Sequence, residues 1–160
     1  MPALPPIENG VPIDTSIQVQ ASIEDVWALL ADLPRQPEWM RDALEVRVEG
    51  DGEIGVGTTM QVPTQILFLR TTDRMEITRF DPPRVWTVRH TGLVTGEGEF
   101  RLHERDGGTL VEWHETLAAP LGWLGRLGMT LFRPVLRWQF ASDLERFREI
   151  CERDSLSPAA

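Results

Sequence analysis

One stretch near the C-terminal end constrains the fold more than any other, because residues 124–152 have the apolar spacing of a long helix. Apolar side chains recur there three or four residues apart, which predicts that one face of the helix is buried. They are Leu124, Leu127, Leu131, Val135, Leu136, Phe140, Leu144, Phe147 and Cys151. The rest of the chain must therefore supply the surface that this helix covers.

The first half of this helix contains residues that weaken helices. Pro134 has no backbone N–H to bond to the carbonyl group of Thr130, so we expect a kink there. Gly122, Gly125 and Gly128 each cost about 1 kcal/mol of helix stability relative to alanine. The sequence therefore predicts a helix that is soft at its start and firm at its end, and that covers its target as a hinged lid.

Length and charge limit the classes of function. A chain of 160 residues fits one domain, and its net charge of −9 argues against nucleic acid and disfavours an anionic membrane surface. No apolar run reaches the roughly 18 residues of a membrane span, and the N-terminus does not have the pattern of a signal peptide, so no membrane insertion is expected.

The chain has one cysteine, Cys151, which cannot form an internal disulfide and is expected to be a packing residue. A chain without disulfides suits a reducing cytoplasm. We expect a cytoplasmic monomer or homodimer with an extended arm at 1–13, one domain at 14–153 and a tail at 154–160.

The order of predicted elements indicates an α+β fold. A short strand at 16–20 is followed by a helix with Ser22 as its N-cap, and a second short helix is predicted at 38–41. From Leu44 the apolar period changes to two, which predicts strands near 46–48, 58–62, 71–80, 84–91, 94–104 and 109–117. Short turns between them predict hairpins, and hence an antiparallel sheet with helices on one side.

The hairpin that turns at 106–107 has the best-determined register. If Glu104 opposes Thr109, then Phe100 faces Trp113 on one side of the sheet and charged residues pair on the other. A shift by one residue would turn every side chain to the opposite face, so this consistency favours the register.

Extending the alternation identifies the side chains on the inner face. Those expected to bind a ligand are Met60, Met75, Ile77, Trp86, Val88, Gly96, Gly98, Phe100 and Trp113, with Phe132 and Leu136 from the helix. Gly96 and Gly98 have no side chains and lie among large aromatic residues, which predicts a hollow on the inner face of the sheet. Alternatively, the glycines let the sheet bend around the helix while neighbouring rings fill the space.

His90 and Glu115 are the titratable pair expected on the inner face. An imidazole beside a carboxylate can act as acid and base or orient a bound polar group, but it is also an ordinary buried polar contact. His103 and His114 are expected to point outward at a spacing that matches no metal motif, so neither a metal nor another cofactor is predicted. The chain contains no G-x-S-x-G sequence typical of a nucleophile elbow.

Several segments together resemble the SRPBCC superfamily, the START and Bet v 1-like group that includes polyketide cyclase/dehydrase-type proteins. They are IQVQASIEDVW at 17–27, Leu33, Trp39, GVGT at 55–58, FDPPR at 80–84, GTLVEW at 108–113 and the long final helix. The resemblance covers about residues 14–153. It implies a helix-grip fold, in which a curved antiparallel sheet of about seven strands wraps around the helix and encloses a deep apolar cavity.

The resemblance also implies a small hydrophobic ligand of lipid, sterol, polyketide or isoprenoid type, but it does not imply catalysis. Aromatase/cyclase members place tyrosine and arginine in the cavity, whereas this chain has no tyrosine, which leaves His90 and Glu115 as stand-ins. Three functions therefore stay open. The first is a non-catalytic binder or carrier, and the second is a polyketide cyclase, aromatase or dehydratase with His90 as base and Glu115 as acid or as the group that orients the substrate. The third is a regulatory module whose acidic surface meets a basic partner.

Overall fold

The computed structural model describes residues 7–50, 52–66 and 69–157. Within these residues, seven strands form one antiparallel sheet in the order β1-β7-β6-β5-β4-β3-β2. The strands are β1 (Val11–Val19), β2 (Arg47–Glu49), β3 (Thr59–Ile66), β4 (Leu69–Asp81), β5 (Val85–Thr91), β6 (Thr95–Arg105) and β7 (Gly108–Ala118). The helices are α1 (Ile23–Ala31), α2 (Gln36–Trp39) and α3 (Trp123–Leu156), with a 3-10 turn at Leu33–Arg35. The predicted helix-grip architecture is confirmed.

The predicted register of the last hairpin is also confirmed. Glu104 pairs with Thr109, Phe100 with Trp113, and Gly98 with Glu115. The inner face is therefore the one that the alternation of apolar residues indicated, and it carries the side chains that contact the helices.

Two short elements differ from their predicted limits. Strand β1 begins at Val11 rather than near residue 16, so residues 11–13 of the predicted arm belong to the sheet; residues 1–6 lie outside the described part. Val11 and Ile13 point into the core, while Pro12 faces outward on an edge strand, where a missing N–H is tolerated. Helix α2 spans Gln36–Trp39 rather than 38–41, because Pro37 fits the first turn of a helix.

The core lies between the inner face of the sheet, helices α1 and α2, and the second half of α3. Trp39 is completely buried, with its ring 5.1 Å from that of Phe147 and 6.2 Å from that of Phe100. Trp113 stacks between Phe100, at 4.9 Å, and Phe140, at 4.4 Å between ring centroids. Burying such rings stabilises the fold because their apolar area is removed from water and because stacked and edge-to-face arrangements of rings are favourable.

The predicted buried face of α3 is correct only for its second half. Leu136, Phe140, Leu144, Phe147 and Cys151 are buried, as predicted. The first half of the prediction is wrong, because Leu124, Leu127, Leu131 and Val135 are all exposed. Adjacent residues of a helix point about 100° apart, so the pattern changes face between Val135 and Leu136. The inward face is continued instead by Met129 and Phe132, which pack against the core.

The start of α3 is closely packed at one of its glycines. A Cβ atom at Gly125 would collide with the carbonyl oxygen of Pro120 in the loop after β7. Gly125, which the sequence predicts to weaken the helix, therefore also allows the loop to approach it. The helix continues through Pro134 without interruption, and no described helix is both long and apolar enough to cross a membrane.

Gly96 and Gly98 provide a stability test of how closely β6 approaches its neighbours. A Cβ at Gly96 would collide with the backbone carbonyl of Thr116, whereas one at Gly98 would meet the end of the Glu115 side chain. We predict that Gly96→Ala lowers the free energy of unfolding by about 1–3 kcal/mol in urea denaturation. Gly98→Ala is the matched control and lowers it less, because a side-chain end moves more easily than a paired strand. Equal losses would contradict this reading.

Candidate ligand-binding cavity

A cavity of about 410 Å³ lies between the inner face of the sheet and the first half of α3. Strands β3 to β7 form its floor, Met129, Phe132, Leu136 and Phe140 of α3 form its roof, and residues 36–43 close one side. Its lining consists of Gln36, Met40, Asp42, Ala43, Met60, Val62, Thr64, Thr71, Asp73, Met75, Trp86, Val88, His90, Leu93, Val94, Phe100, Trp113, Glu115, Leu117, Met129, Phe132, Leu136 and Phe140. A mostly apolar lining with a few polar groups is typical of small-molecule sites, and the volume lies within their usual range.

The structure brings most of the predicted site residues together in this lining. They are Met60, Met75, Trp86, Val88, Phe100, Trp113, Phe132 and Leu136, together with His90 and Glu115. Alternation along the strands placed them on the inner face, and the packing of α3 leaves space above them.

Ile77, Gly96 and Gly98 do not line the cavity. Ile77 is fully buried in the core. The space above Gly98 is filled by the carboxylate of Glu115, since a Cβ there would lie 2.5 Å from Oε2, and Gly96 is covered by Thr116 and Leu117. The hollow expected over the two glycines is therefore occupied by side chains and backbone of β7, and the cavity lies beside it.

Two acidic residues that line the cavity were not predicted from the sequence. Asp73 is two residues before Met75 on β4, so strand alternation alone could have placed it on the inner face. Asp42 lies in the loop after α2, where no periodicity indicates the direction of a side chain. Both carboxyl groups belong to the polar end of the cavity.

His90 lies between two carboxylates. Its Nδ1 is 2.5 Å from Oδ2 of Asp73 on β4, and its Nε2 is 3.1 Å from Oε1 of Glu115 on β7. Glu115 is held in turn by the indole of Trp113, whose Nε1 donates to Oε2 at 2.9 Å. Asp73 and His90 come from the adjacent strands β4 and β5, and Glu115 comes from β7, on the far side of β6; the three side chains meet because they point to the same face of the sheet.

The surroundings of His90 keep it protonated. Burial by itself lowers the pKa of the imidazole, but the negative charge of Glu115 and the hydrogen bond to Asp73 outweigh it and raise the pKa to about 10. At neutral pH His90 is therefore an imidazolium that donates to Asp73 through Nδ1, while its Nε2 lies within ion-pair distance of Glu115 without forming a hydrogen bond. In this form it gives a proton rather than takes one, which disfavours the role of base expected from the sequence.

Two further carboxyl groups are perturbed by burial. Burial raises the pKa of Asp42 in the lining, and the charge of Glu115 adds to the effect. Burial, followed by the charge of Asp42, raises the pKa of Asp143 on α3 to about 7. Asp143 is completely buried behind the lining and accepts a hydrogen bond from the backbone N–H of Arg41 at 3.3 Å. This end of the cavity is thus rich in acidic groups.

The described residues give little support to a metal site or to a cysteine nucleophile. In those ranges, no group of three His, Cys, Asp or Glu side chains is arranged to hold a metal ion. Cys151 is buried in the core outside the lining, and burial raises the pKa of its thiol to about 11, which disfavours the nucleophilic thiolate.

Comparison with solved structures shows the same fold in other proteins. TTHA0849 from Thermus thermophilus aligns with a TM-score of 0.77 at 17% identity, over 91% of this chain and 99% of that chain. The Zhui aromatase/cyclase from Streptomyces sp. R1128 aligns with a TM-score of 0.75 at 18% identity, over 91% and 95% of the two chains. For Ara h 8.0201 the TM-score is 0.63 at 13% identity, over 89% and 97%. Identities this low show the fold alone.

The sequence itself defines the family. No curated protein sequence matches the chain significantly. The sequence pattern of the family described as "Polyketide cyclase / dehydrase and lipid transport" matches residues 11–152, from the start of β1 almost to the end of α3. The protein therefore belongs to this polyketide cyclase/dehydrase and lipid transport family of the SRPBCC superfamily.

Proposed function

We propose that the protein binds a small, largely apolar molecule in the cavity and acts as a binder or carrier. The observation that carries the proposal is a cavity of about 410 Å³ with aromatic and aliphatic walls and titratable groups on one side. Binding would be driven by removal of apolar ligand surface from water, worth about 25 cal/mol per Å². The prediction that segment 125–134 opens to admit the ligand belongs to this proposal.

The polar end of the cavity favours ligands that donate hydrogen bonds. Asp42, Asp73 and Glu115 line it, with the imidazolium of His90 as the single cationic side chain among the described lining residues. Nδ1 of His90 is bonded to Asp73, and its Nε2 lies 3.1 Å from Oε1 of Glu115 without a hydrogen bond. The polar end therefore offers a ligand one donor among several carboxylate acceptors. A hydroxyl, phenol or amine would be accepted there, whereas a carboxylate would be repelled.

A second candidate function is catalysis of a cyclisation or dehydration. It is favoured by the ion pair of His90 and Glu115 inside the cavity, and by the fold shared with Zhui and with StfQ, a di-domain ARO/CYC of the steffimycin biosynthetic pathway. In a dehydration, the Glu115 carboxylate would take the proton from carbon while His90 gives one to the leaving hydroxyl, which departs as water. His90 would thus be the acid, reversing the roles expected from the sequence.

A series of ligands with the same alkyl chain and different head groups tests the binding proposal. We predict that dodecanol and dodecylamine displace a neutral naphthylamine probe at concentrations at least about tenfold lower than dodecanoate does, because dodecanoate meets three carboxyl groups. Probe fluorescence measures the displacement. Equal displacement by all three would contradict the preference for donors.

A pair of variants on β5 tests whether the ligand lies in the cavity. Val88→Phe fills the space above β5 and is expected to weaken probe binding about tenfold or more. Val85→Phe makes the same change on the same strand outside the lining, and should leave binding unchanged. If both variants bind the probe as tightly as the unaltered protein, the cavity is not the binding site.

Turnover separates the enzyme from the carrier. If the protein is a cyclase or dehydratase, His90→Ala and Glu115→Ala are expected to abolish product formation from a reduced or unreduced polyketide chain, measured by mass spectrometry, while displacement of the probe persists. Absence of product with the unaltered protein, together with tight probe binding, would favour the carrier.

The raised pKa of His90 predicts how stability depends on pH. Folded His90 keeps its proton to about pH 10, while the unfolded side chain loses it near 6.5, so stability falls as pH rises through this window. The expected slope is at most about 1.4 kcal/mol per pH unit in urea denaturation. His90→Gln should remove this slope, and His103→Gln, which changes an exposed histidine paired with Glu112, should retain it. An unchanged slope in His90→Gln would show that His90 is not the group responsible.

A further inference from the structure

The first half of α3 exposes an apolar surface that the cavity does not use. We call it the outward face, and Trp123, Leu131 and Trp138 on it are 70%, 74% and 67% exposed. Its members are Trp123, Leu124, Leu127, Leu131, Val135 and Trp138, which recur mostly three or four residues apart and so lie along one side of the helix. Single exposed apolar residues are ordinary, but a contiguous patch with two tryptophans marks an interaction surface.

The opposite side of the same segment forms the roof of the cavity through Met129, Phe132 and Leu136. The segment is therefore apolar on both sides, with the interior cavity below it and the solvent above it. Leu93, in the turn between β5 and β6, also lines the cavity and yet is 61% exposed, so it marks a place where the cavity reaches the surface. A helix segment with apolar side chains on two sides is expected to have an apolar partner on its exposed side as well.

The charges beside the outward face are all positive. Arg126, Arg133 and Arg137 are exposed and fall seven and four residues apart, so they lie in one row along a flank of the helix. Between Glu115 and Asp143 the sequence contains no Asp or Glu, although the chain as a whole has a net charge of −9. Among the described residues, none of these three arginines forms an ion pair. The segment is thus a local basic region on an acidic protein.

We propose that the outward face docks onto an anionic lipid bilayer, with the apolar side chains in the interface and the three arginines against lipid phosphates. Tryptophan and leucine on one side and arginine beside them are the composition of helices that lie in the plane of a membrane interface. The net charge of the whole chain disfavours such a surface, but the row of arginines acts locally because ionic screening limits the range of each charge to about 8–10 Å.

A second copy of the chain fits this surface less well. A two-fold contact would bring the outward face against itself, and would place the row Arg126, Arg133 and Arg137 close to the same row with no acid on the segment to compensate. Anionic lipid headgroups supply the missing negative charge, and the acyl region supplies the apolar surrounding.

Docking would place the roof of the cavity at the membrane surface, so that a ligand could pass between bilayer and cavity past Leu93 and the first half of α3. This passage rests on the proposed function, whereas docking itself does not. Binding of dodecanol in the absence of vesicles tests the cavity, and vesicle binding without ligand tests the docking, so the two proposals can fail separately.

The experiment is flotation of the full chain with phosphatidylcholine vesicles that contain either no anionic lipid or about one-third phosphatidylglycerol. We expect flotation with the anionic vesicles, weakening at about 0.5 M salt, and little with the neutral ones. Leu127→Glu/Leu131→Glu and Arg133→Glu/Arg137→Glu should each lower the fraction bound at least about tenfold, as both pairs are exposed and the fold does not depend on them.

The control is Arg84→Glu/Arg105→Glu, which makes the same change in net charge at exposed arginines at the opposite end of β5 and β6 from Leu93. It should float like the unaltered protein. Equal loss in the control, equal flotation with neutral vesicles, or no flotation would overturn the proposal. A dimer in sedimentation equilibrium that Leu127→Glu/Leu131→Glu dissociates would also overturn it and assign the outward face to a second copy.

Discussion

The contact on which both the fold and the site depend is the packing of Trp113. Its ring stacks on Phe100 of the neighbouring strand and on Phe140 of α3, so it joins the sheet to the helix. Its indole N–H donates to Glu115, which pairs with His90. One side chain therefore fixes the distance between sheet and helix and the direction of the carboxylate in the cavity. Packing and polar chemistry are coupled there because an indole is apolar over its ring and polar at one edge.

The polar end of the cavity follows from the cost of burying charge. An isolated carboxylate or imidazolium would be strongly disfavoured among these aromatic walls. Asp73, His90 and Glu115 share one positive and two negative charges through short contacts, which offsets much of that cost but leaves an excess of acceptors. The same arrangement keeps His90 protonated, and so changes which proton transfers the site can support.

Helix α3 has two different roles along its length. Its second half is an ordinary amphipathic helix, with Leu144 and Phe147 packed beside Trp39 and α2. Its first half has apolar side chains on two sides, because one side faces the cavity and the other faces away from the protein. The transition at Val135 and Leu136 explains why a single apolar stripe described only half of the helix. It also explains how a region so rich in leucine and tryptophan can be largely exposed.

The sequence by itself determined the order of elements, the register of β6 and β7 and the inner positions of His90, Trp113 and Glu115, because alternation along a strand depends only on local geometry. It could not determine which of two apolar helix faces is buried, since both have helical spacing and only the position of the sheet decides. The tertiary structure alone placed Asp42 from an aperiodic loop beside the pair of His90 and Glu115, and filled the space above Gly98 with the Glu115 side chain. Proximity between distant segments, and with it the charge of His90, is a property of the packed chain, because electrostatic shifts depend on distances that no local pattern encodes.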